Sequence, residues 1–387
     1  MRPTANRALT VAVLGTTQTL SWGSSYYLPA ILATPIAAEF GVSRATVFAA
    51  FSAALLLTAL LGPAAGRAID ARGGRDVLAV SNIVFAIGLG LMGLSPGPVL
   101  FCLAWAVMGV AMAMGLYDAA FATLAGLYGR EARNSITGIT LIAGFASTVG
   151  WPATALMEAE WGWRGACFGW AALHLVLGLP LNRLLIPRAP PPAKVASGAA
   201  EGTEAAPRPR DMALLAFVLA AAGFSASALG AHLPGLLQAA GATAAAAVAA
   251  GALLGPAQVA ARILEFGLLR KVSPLVSARI AAAAHPLAVL VLLAGGAPMA
   301  AVFVLIHGGG NGLLTITRGT LPLALFGPVG YGRRQGLITA PARASQALAP
   351  YAFGLLVDAQ GAAALWLTAG LGLAAVAALF LLRMPRG

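Results

Sequence analysis

Long apolar stretches separated by short polar or Pro/Gly-rich interruptions dominate the chain. A helix that crosses a bilayer needs about 20 mainly apolar residues, and twelve segments meet that requirement. These twelve predicted spans are residues 9–33, 44–66, 76–95, 99–127, 134–157, 163–186, 212–237, 243–266, 275–295, 298–325, 334–357 and 362–383. The pattern predicts an all-α membrane protein with twelve transmembrane helices.

The longest polar stretch lies between the sixth and seventh spans. It contains Pro190-Pro191-Pro192 together with Gly and Glu residues, a composition that cannot build a core. We therefore predict three parts: an N-terminal six-helix bundle at 1–186, a cytoplasmic linker at 187–211 and a C-terminal six-helix bundle at 212–387.

The composition agrees with a membrane protein. Of the 387 residues, 59% are hydrophobic and 9% charged, whereas soluble domains carry about 25% charged residues. The net charge of +12 would suggest nucleic acid in a soluble protein, but these charges lie almost wholly in short loops, so we expect no nucleic-acid partner. Cys102 and Cys167 lie inside apolar segments, and we expect neither a disulfide framework nor a metal or other cofactor.

The basic residues are distributed unevenly between alternate loops. Of the 24 Lys and Arg, 19 fall on one side, Arg44 and Arg164 fall on the other, and three lie within predicted spans. By the positive-inside rule, both termini and the linker are cytoplasmic. We expect a monomer in the inner (plasma) membrane. The N-terminal apolar segment is predicted to be the first membrane helix and not a removed signal peptide.

The two halves match at a nearly constant offset, which is typical of a parallel duplication. The offsets run from 193 to 205. The matched pairs are Tyr27-Leu28-Pro29 with His232-Leu233-Pro234, Gly62-Pro63 followed by Arg67 and Asp70 with Gly255-Pro256 followed by Arg262 and Glu265, and Gly115-Leu116 leading to Gly129 with Gly312-Leu313 leading to Gly327.

The loop after the second span carries Gly66, Asp70, Gly73 and Arg75 in the spacing Gly-x-x-x-Asp-x-x-Gly-x-Arg. This motif and its position resemble the signature of the major facilitator superfamily, although Ala71 replaces the family's usual basic residue after the aspartate. The resemblance covers the whole chain and implies two pseudo-symmetric six-helix bundles. It also implies a secondary transporter that works by alternating access, without cofactor or enzymatic activity. The implied gating residues are Gly66, Arg67, Asp70, Gly73 and Arg75, with Arg262 and Glu265 in the second half.

Polar residues inside a membrane are costly and mark candidate substrate contacts. They follow one helix face in the first, tenth and eleventh spans, and the family resemblance implies that the first and tenth spans line the central path. A seam of interhelical hydrogen bonds is the alternative interpretation. The predicted substrate-binding residues are Gln18, Trp22 and Tyr26; His307, Asn311, Thr315 and Arg318; and Arg343 and Gln346.

Asp118, in the fourth span, has two interpretations of equal weight. It is either a proton-coupling site or one partner of a salt bridge with Arg318 or Arg343 that joins the halves. With Asp118 ionised, the two arginines still leave a surplus of positive charge, which favours a small organic anion moved with protons. The predicted substrate site lies between the halves, towards the basic C-terminal side.

Two alternatives stay open at this point. The first is a proton-driven drug or cation efflux pump, in which Asp118 pairs with the cation beside Trp22 and Tyr26. The second is a membrane receptor or scaffold that does not transport. An enzyme is not expected, because Gly88-x-Gly90-x-x-Gly93 lies inside an apolar span without a preceding strand, and packing explains these glycines better than dinucleotide binding. Symport and antiport are not distinguished.

Overall fold

The computed structural model describes residues 6–188, 208–268 and 271–384. These residues form α-helices joined by short turns, 3₁₀ turns and π-helical turns, and no strand occurs among them. The α-helices are α1 (Arg7–Gly23), α2 (Leu28–Phe40), α3 (Arg44–Arg72), α4 (Gly74–Leu94), α5 (Pro98–Gly115), α6 (Tyr117–Tyr128), α7 (Arg133–Ile142), α8 (Ala146–Leu173), α9 (Pro209–Ala239), α10 (Ala244–Gly251), α11 (Leu254–Gly267), α12 (Pro274–Gly295), α13 (Ala300–Phe326), α14 (Tyr331–Gln360) and α15 (Leu365–Leu381).

The predicted all-α class is confirmed, and each of the twelve predicted spans is mainly helical. By length and composition, eight helical runs within the described residues can cross a bilayer. Two of these runs, Pro98–Leu185 and Tyr331–Leu381, each contain more than one predicted span. The twelve-helix count is consistent with this arrangement.

Three predicted spans are interrupted where continuous helices were predicted, and of these the eighth span is broken at residues 252–253 between α10 and α11. The first span is broken at residues 24–27 into α1 and α2, and the fourth is broken at Leu116 into α5 and α6. The break at residues 24–27 coincides with the polar run Ser24-Ser25-Tyr26-Tyr27, whereas the break at Leu116 follows an uninterrupted apolar run. A further interruption, at Gly162 with φ +70°, lies between the fifth and sixth spans inside the helical run Ala146–Leu173.

The helix caps show the internal repeat. Gly41 follows α2 and Gly241 follows α9, 200 positions later, both with positive φ. Ser43 and Thr243 come two residues after these glycines, and their hydroxyls each accept a hydrogen bond, at 3.2 Å, from a backbone N–H three residues on. A side-chain oxygen in this position satisfies one of the unpaired N–H groups at a helix N-terminus. The duplication therefore extends to the turn chemistry.

The chain divides into two compact units. Unit 1 comprises Met1–Glu204 and Pro328–Leu337, and unit 2 comprises Ala205–Gly327 and Ile338–Gly387. The first turns of α14 thus belong to unit 1. Most of the predicted linker, residues 187–211, lies outside the described residues, and the predicted division at that linker stays a prediction.

Small residues bring helices into close contact inside each unit. In unit 1, Thr58 of α3 donates to the carbonyl of Gly109 on α5 at 3.0 Å. In unit 2, a Cβ added to Gly308 of α13 would meet the Ala257 Cβ of α11 at 2.9 Å. Close approach through small residues is the usual way in which membrane helices associate, because lipid supplies no hydrophobic force between them. The glycines of α13 therefore serve helix packing.

Candidate functional site

Aromatic residues gather around the two helix breaks of unit 1. The ring centroid of Trp22 lies 5.1 Å from that of Tyr26 and 5.0 Å from that of Tyr117. Tyr26 also meets Phe51 of α3 edge to face at 5.3 Å. The structure thus brings together the predicted residues Trp22 and Tyr26 and adds Tyr117, which begins α6. These rings form a partly exposed wall at the point where the first and fourth spans are discontinuous.

Gln18 connects the same two spans by a hydrogen bond. Its Nε2 donates at 2.6 Å to the carbonyl of Gly115, the last residue of α5. The helix break at Leu116 frees this carbonyl from its helical partner, and the amide satisfies it. The Gln18 Oε1 is buried and accepts no hydrogen bond from any residue in the described part of the chain, so Gln18 retains an acceptor.

His174 reaches the break in the first span, which the sequence did not indicate. Its Nε2 lies 2.7 Å from Ser24 Oγ, and its Nδ1 lies 2.8 Å from Asn82 Oδ1. The imidazole also stacks on Phe85, with centroids 4.6 Å apart. A Ser, a His and an Asn from three spans form a buried chain of hydrogen bonds, and their separation in sequence leaves no motif.

The signature motif places Asp70 against the beginning of α14, within unit 1. Asp70 Oδ1 accepts the backbone N–H of Gly332, and Oδ2 accepts that of Arg333, both at 2.8 Å. A carboxylate at a helix N-terminus satisfies unpaired donors and complements the helix dipole. Gly73, with φ +81°, ends α3, and Arg75 Nε contacts Asp76 at 3.4 Å. Arg67 is exposed.

Two pairs of glycines allow α3 to contact α14. The pair on α14 was not identified from the sequence. Gly62 and Gly66 on α3 face Gly332 and Gly336 on α14. A Cβ on Gly336 would lie 2.6 Å from the Gly62 carbonyl, and one on Gly66 would overlap the Gly332 carbonyl. Each pair has the Gly-x-x-x-Gly spacing that brings helix backbones together. The spacing Gly332-x-x-x-Gly336 was the sequence signal that could have identified the second pair.

Asp118 lies in the first turn of α6 and is partly buried. Gln335 Nε2, on the first turns of α14, donates to Asp118 Oδ1 at 3.2 Å. Asp118 and Asp70 therefore both accept hydrogen bonds from the first turns of α14, Asp118 from Gln335 and Asp70 from Gly332. The sequence did not single out Gln335.

The polar stripe of the tenth span lies on the continuous helix α13, and its members meet different neighbours. His307 Nδ1 lies 3.0 Å from His285 Nδ1 on α12. Both histidines line a cavity of about 30 Å³ with Asn311, which is room for one or two water molecules. Thr315, further along, accepts a hydrogen bond from Arg262 at 3.4 Å. Arg318 is partly buried.

The second-half counterparts of the signature motif, Arg262 and Glu265, are buried. Arg262, on α11, donates to Gln258 as well as to Thr315, each at 3.4 Å. Glu265 accepts a hydrogen bond from Ser277 of α12 at 3.0 Å. The repeat therefore carries charged groups that contact polar side chains of α11, α12 and α13 in unit 2.

Arg343 is a buried cation of α14. It is 1% exposed, and its Nη1 donates to Gln346 Oε1, one turn further on, at 3.3 Å. The Gln346 carbonyl accepts from Ser227 of α9 at 2.8 Å. Arg343 and Gln346, predicted from helical spacing, are thus neighbours, and Ser227 connects that face of α14 to α9.

A second charged network lies at the other end of α3. Arg164 donates to Glu39 at 2.6 Å and to the carbonyls of Gly93 and Ser95 at 2.8 and 2.7 Å. The Trp163 indole also donates to Glu39, at 2.5 Å. These hydrogen bonds and the Arg164 charge lower the pKa of Glu39 from its ordinary value of 4.5. The network ties the ends of the first, third and sixth spans together.

The family follows from a comparison with known proteins. A family model described as Major Facilitator Superfamily matches residues 14–328, which is most of the chain. The chain therefore belongs to the major facilitator superfamily. It is a multi-pass membrane protein with the fold of secondary transporters, and transporters of this family bind small molecules and are not enzymes.

Solved structures share this fold at low sequence identity. The human organic anion transporter MFSD10 (TETRAN) matches with a TM-score of 0.70 and 17% identity, over 98% of this chain and 100% of that one. FucP in the outward conformation matches with a TM-score of 0.74 and 12% identity, over 96% and 98%. The proton:xylose symporter XylE, bound to 6-bromo-6-deoxy-D-glucose, matches with a TM-score of 0.72 and 13% identity, over 96% and 94%. Each likeness concerns the fold.

Proposed function

We propose that this secondary transporter moves a small organic anion by alternating access, coupled to protons. The observation that carries the proposal is the burial of Arg343. A guanidinium keeps its charge at every physiological pH, and a buried charge inside a membrane is costly. A carboxylate or phosphate substrate offsets that cost and fits the planar fork of the guanidinium.

The surroundings of Arg343 support a substrate role. Gln346, which already accepts a hydrogen bond from Arg343, has an amide N–H₂ group that can donate to the same anion. His307 and Asn311, on α13, add polar groups to unit 2. MFSD10 is an organic anion transporter with the same fold, but the anion proposal for this chain rests on Arg343 itself.

Asp118 is the proposed proton site. It is an acid at a helix break, beside Tyr117 and hydrogen-bonded by Gln335. Protonation would remove its charge, and the amide of Gln335 can turn to serve either state because it both donates and accepts. The contact of Asp70 with the N-terminus of α14 is the proposed gate, which forms in one conformation and breaks in the other. We further propose that both termini face the cytoplasm and that the protein is a monomer in the inner membrane.

A thermal-shift screen of the purified protein against organic anions, lipophilic cations and neutral solutes tests the substrate class. A ligand at 100 times its Kd stabilises the folded state by about 2.7 kcal/mol. We expect stabilisation by an anion, its loss in Arg343→Ala, and its retention in Arg210→Gln, which removes an exposed arginine at the start of α9. Stabilisation by lipophilic cations alone would contradict the anion proposal.

Uptake of the same anion into proteoliposomes tests the coupling. A pH gradient should drive accumulation by the unaltered protein, whereas Asp118→Asn should retain exchange and lose accumulation. Unchanged pH-driven uptake in Asp118→Asn would exclude this aspartate as the proton site. Binding without any flux would instead favour a receptor.

Proton-driven efflux of an aromatic or lipophilic cation is the second candidate function. The aromatic wall of Trp22, Tyr26 and Tyr117 favours it, because ring faces attract cations. Asp118 follows Tyr117 directly in the chain and would supply the negative charge. In the same screen, stabilisation by a cation that is lost in Trp22→Ala and in Asp118→Asn would support this function.

A further inference from the structure

A groove with a volume of about 410 Å³ runs along unit 1 between α3, α4 and α5, apart from the groups discussed above. We call it the α3–α5 groove. Its floor is formed by small residues of α3, because Ala64, Ala65 and Ala68 leave space that larger side chains would fill. Val77 and Val80 form one wall, and residues of α5 that include Val110 and Met114 form the other.

The surface around this groove is apolar and exposed. Leu60 is 77% exposed, and Val80 and Ile83 are 45% and 40% exposed. In a membrane protein, such a surface faces lipid tails, because exposed apolar patches are otherwise rare. A molecule that enters the groove from this surface comes from the bilayer.

Charged groups lie at one end of the groove. Arg72, in the last turn of α3, and Asp76, in the first turn of α4, both line it. Asp76 contacts Arg75 at 3.4 Å and Arg183 at 3.0 Å. Arg72 is exposed and has no hydrogen-bond or ion-pair partner among residues 6–188, 208–268 and 271–384. Two arginines thus contact the one carboxylate at this end of the groove, and Arg72 adds a further positive charge.

We propose that the α3–α5 groove binds a phospholipid with an anionic headgroup. One acyl chain lies along the alanines of α3, and the headgroup phosphate accepts hydrogen bonds from the Arg72 guanidinium, whose fork matches phosphate oxygens. Basic pockets between membrane helices bind anionic headgroups in the same way. The net positive end favours phosphatidylglycerol or cardiolipin over a zwitterionic lipid.

The site lies next to the proposed gate. Arg72 is two residues from Asp70, and Gly73 alone separates α3 from α4. A lipid held by Arg72 would restrain this turn, so the headgroup charge of the surrounding lipid would affect the Asp70 contact. The lipid proposal itself requires only that the chain is a membrane protein, and it does not depend on the transported substrate.

Native mass spectrometry of the detergent-purified full chain tests the headgroup. With phosphatidylglycerol and phosphatidylcholine as probes, we expect a retained adduct with phosphatidylglycerol and a weaker one with phosphatidylcholine. Arg72→Gln should weaken phosphatidylglycerol binding about five-fold, since one arginine at a membrane surface contributes about 1 kcal/mol. The matched control is Arg44→Gln, at the opposite end of α3, which should leave binding unchanged. Equal binding of the two lipids, unaffected by Arg72→Gln, would overturn the proposal.

Filling the groove tests the acyl chain. Ala68→Leu and the more exposed Ala64→Leu should each reduce phosphatidylglycerol binding, whereas Ala106→Leu adds the same bulk to an exposed position of α5 outside the groove and should have no effect. The two groove variants guard against a folding defect in one of them. Inorganic phosphate is the second probe. If phosphate alone stabilises the protein as much as the lipid does, and the leucine variants bind lipid normally, the site is one for free phosphate and the lipid proposal is wrong.

Discussion

Three polar side chains are buried inside the helical units and form hydrogen bonds there. Gln18, His174 and Arg343 are at most 1% exposed. A polar group buried without a hydrogen bond costs about 1–3 kcal/mol, and each of these side chains has a hydrogen-bonding partner. Their positions were therefore set by partners as much as by apolar surroundings.

At Arg343, charge and shape can be separated by one substitution. Arg343→Lys keeps the positive charge but loses the planar fork that binds a carboxylate at two points. We expect the affinity for the anion to fall about ten-fold in Arg343→Lys, the equivalent of about 1.4 kcal/mol. In Arg343→Ala, stabilisation by the anion should disappear. The unfolding temperature of each protein, measured at increasing anion concentration, gives the three affinities to be compared. Equal affinities in the lysine variant and the unaltered protein would show that only the charge matters.

Glu39 makes stability depend on pH. Its pKa is lower in the folded protein than its ordinary value of 4.5, chiefly through the hydrogen bond from Arg164. A lowered pKa means that the ionised group stabilises the fold above the unfolded-state pKa, and this contribution disappears as the pH falls through the folded-state pKa. Glu39→Gln should therefore unfold at a lower temperature than the unaltered protein at neutral pH, and the difference should shrink below about pH 4.

Thermal unfolding of both proteins across that pH range provides the measurement. The pair is partly exposed to solvent, so salt should also reduce the difference. Glu158→Gln is the control, because Glu158 is a partly exposed acid of the same unit. A difference that is constant with pH would show that Glu39 acts through shape and not through charge.

At the level of helices, the two breaks in unit 1 are the feature that matters most for function. In transporters, discontinuous helices present backbone groups to ligands at mid-membrane depth. Here the break between α5 and α6 leaves the Gly115 carbonyl to Gln18, while the break between α1 and α2 presents Tyr26 and Ser24. The aromatic wall and the buried hydrogen bonds thus share one cause, the loss of helical bonding at two nearby points.

Gln18→Leu tests whether this amide holds the broken helix. The leucine has a similar volume but cannot donate to Gly115, so a buried carbonyl loses its partner at a cost of about 1–3 kcal/mol. We expect a lower unfolding temperature and altered fluorescence of Trp22, one turn away. The control is Thr19→Val, which removes only the hydrogen bond to Gly15 within the same helix. Equal effects of the two substitutions would deny Gln18 a special role.

At the level of the whole molecule, the duplicated scaffold carries different polar residues in each half. Matching caps at Gly41 and Gly241 show the repeat. In contrast, Asp70 contacts backbone N–H groups, whereas its counterpart Glu265 contacts the Ser277 hydroxyl. The repeated motif has therefore been put to different uses in the two units.

Gly332→Ala tests the proposed gate through conformation. A Cβ at this position would crowd the Asp70 carboxylate, at 2.8 Å from Oδ1, so the contact between α3 and α14 should open. A cysteine introduced at Ile69, which is 4% exposed, should react slowly with a maleimide and several-fold faster after Gly332→Ala. Gly230→Ala is the control, because a Cβ there meets no atom within 4 Å in the described structure. Unchanged reactivity would mean that this contact does not control access to α3.

Sequence alone determined the class, the family and many of the polar positions. Twenty-residue apolar segments determine a helical membrane protein because lipid offers the backbone no hydrogen bonds. The spacing from Gly66 to Arg75 identified the family, and helical periodicity paired Arg343 with Gln346. These properties are local, so a local pattern is sufficient to predict them.

Only the tertiary structure decided which distant groups meet. Asp70 meets a backbone 262 positions away, Gln335 meets Asp118 across 217, and His174 meets Ser24 across 150. Apolar periodicity states which face of a helix is buried but not which helix covers it or at what height. The break at Leu116 was likewise not predictable, because the apolar run before it is the same in a broken helix as in a continuous one. Packing between helices selects partners and breaks, and it also leaves the groove beside Arg72 unfilled.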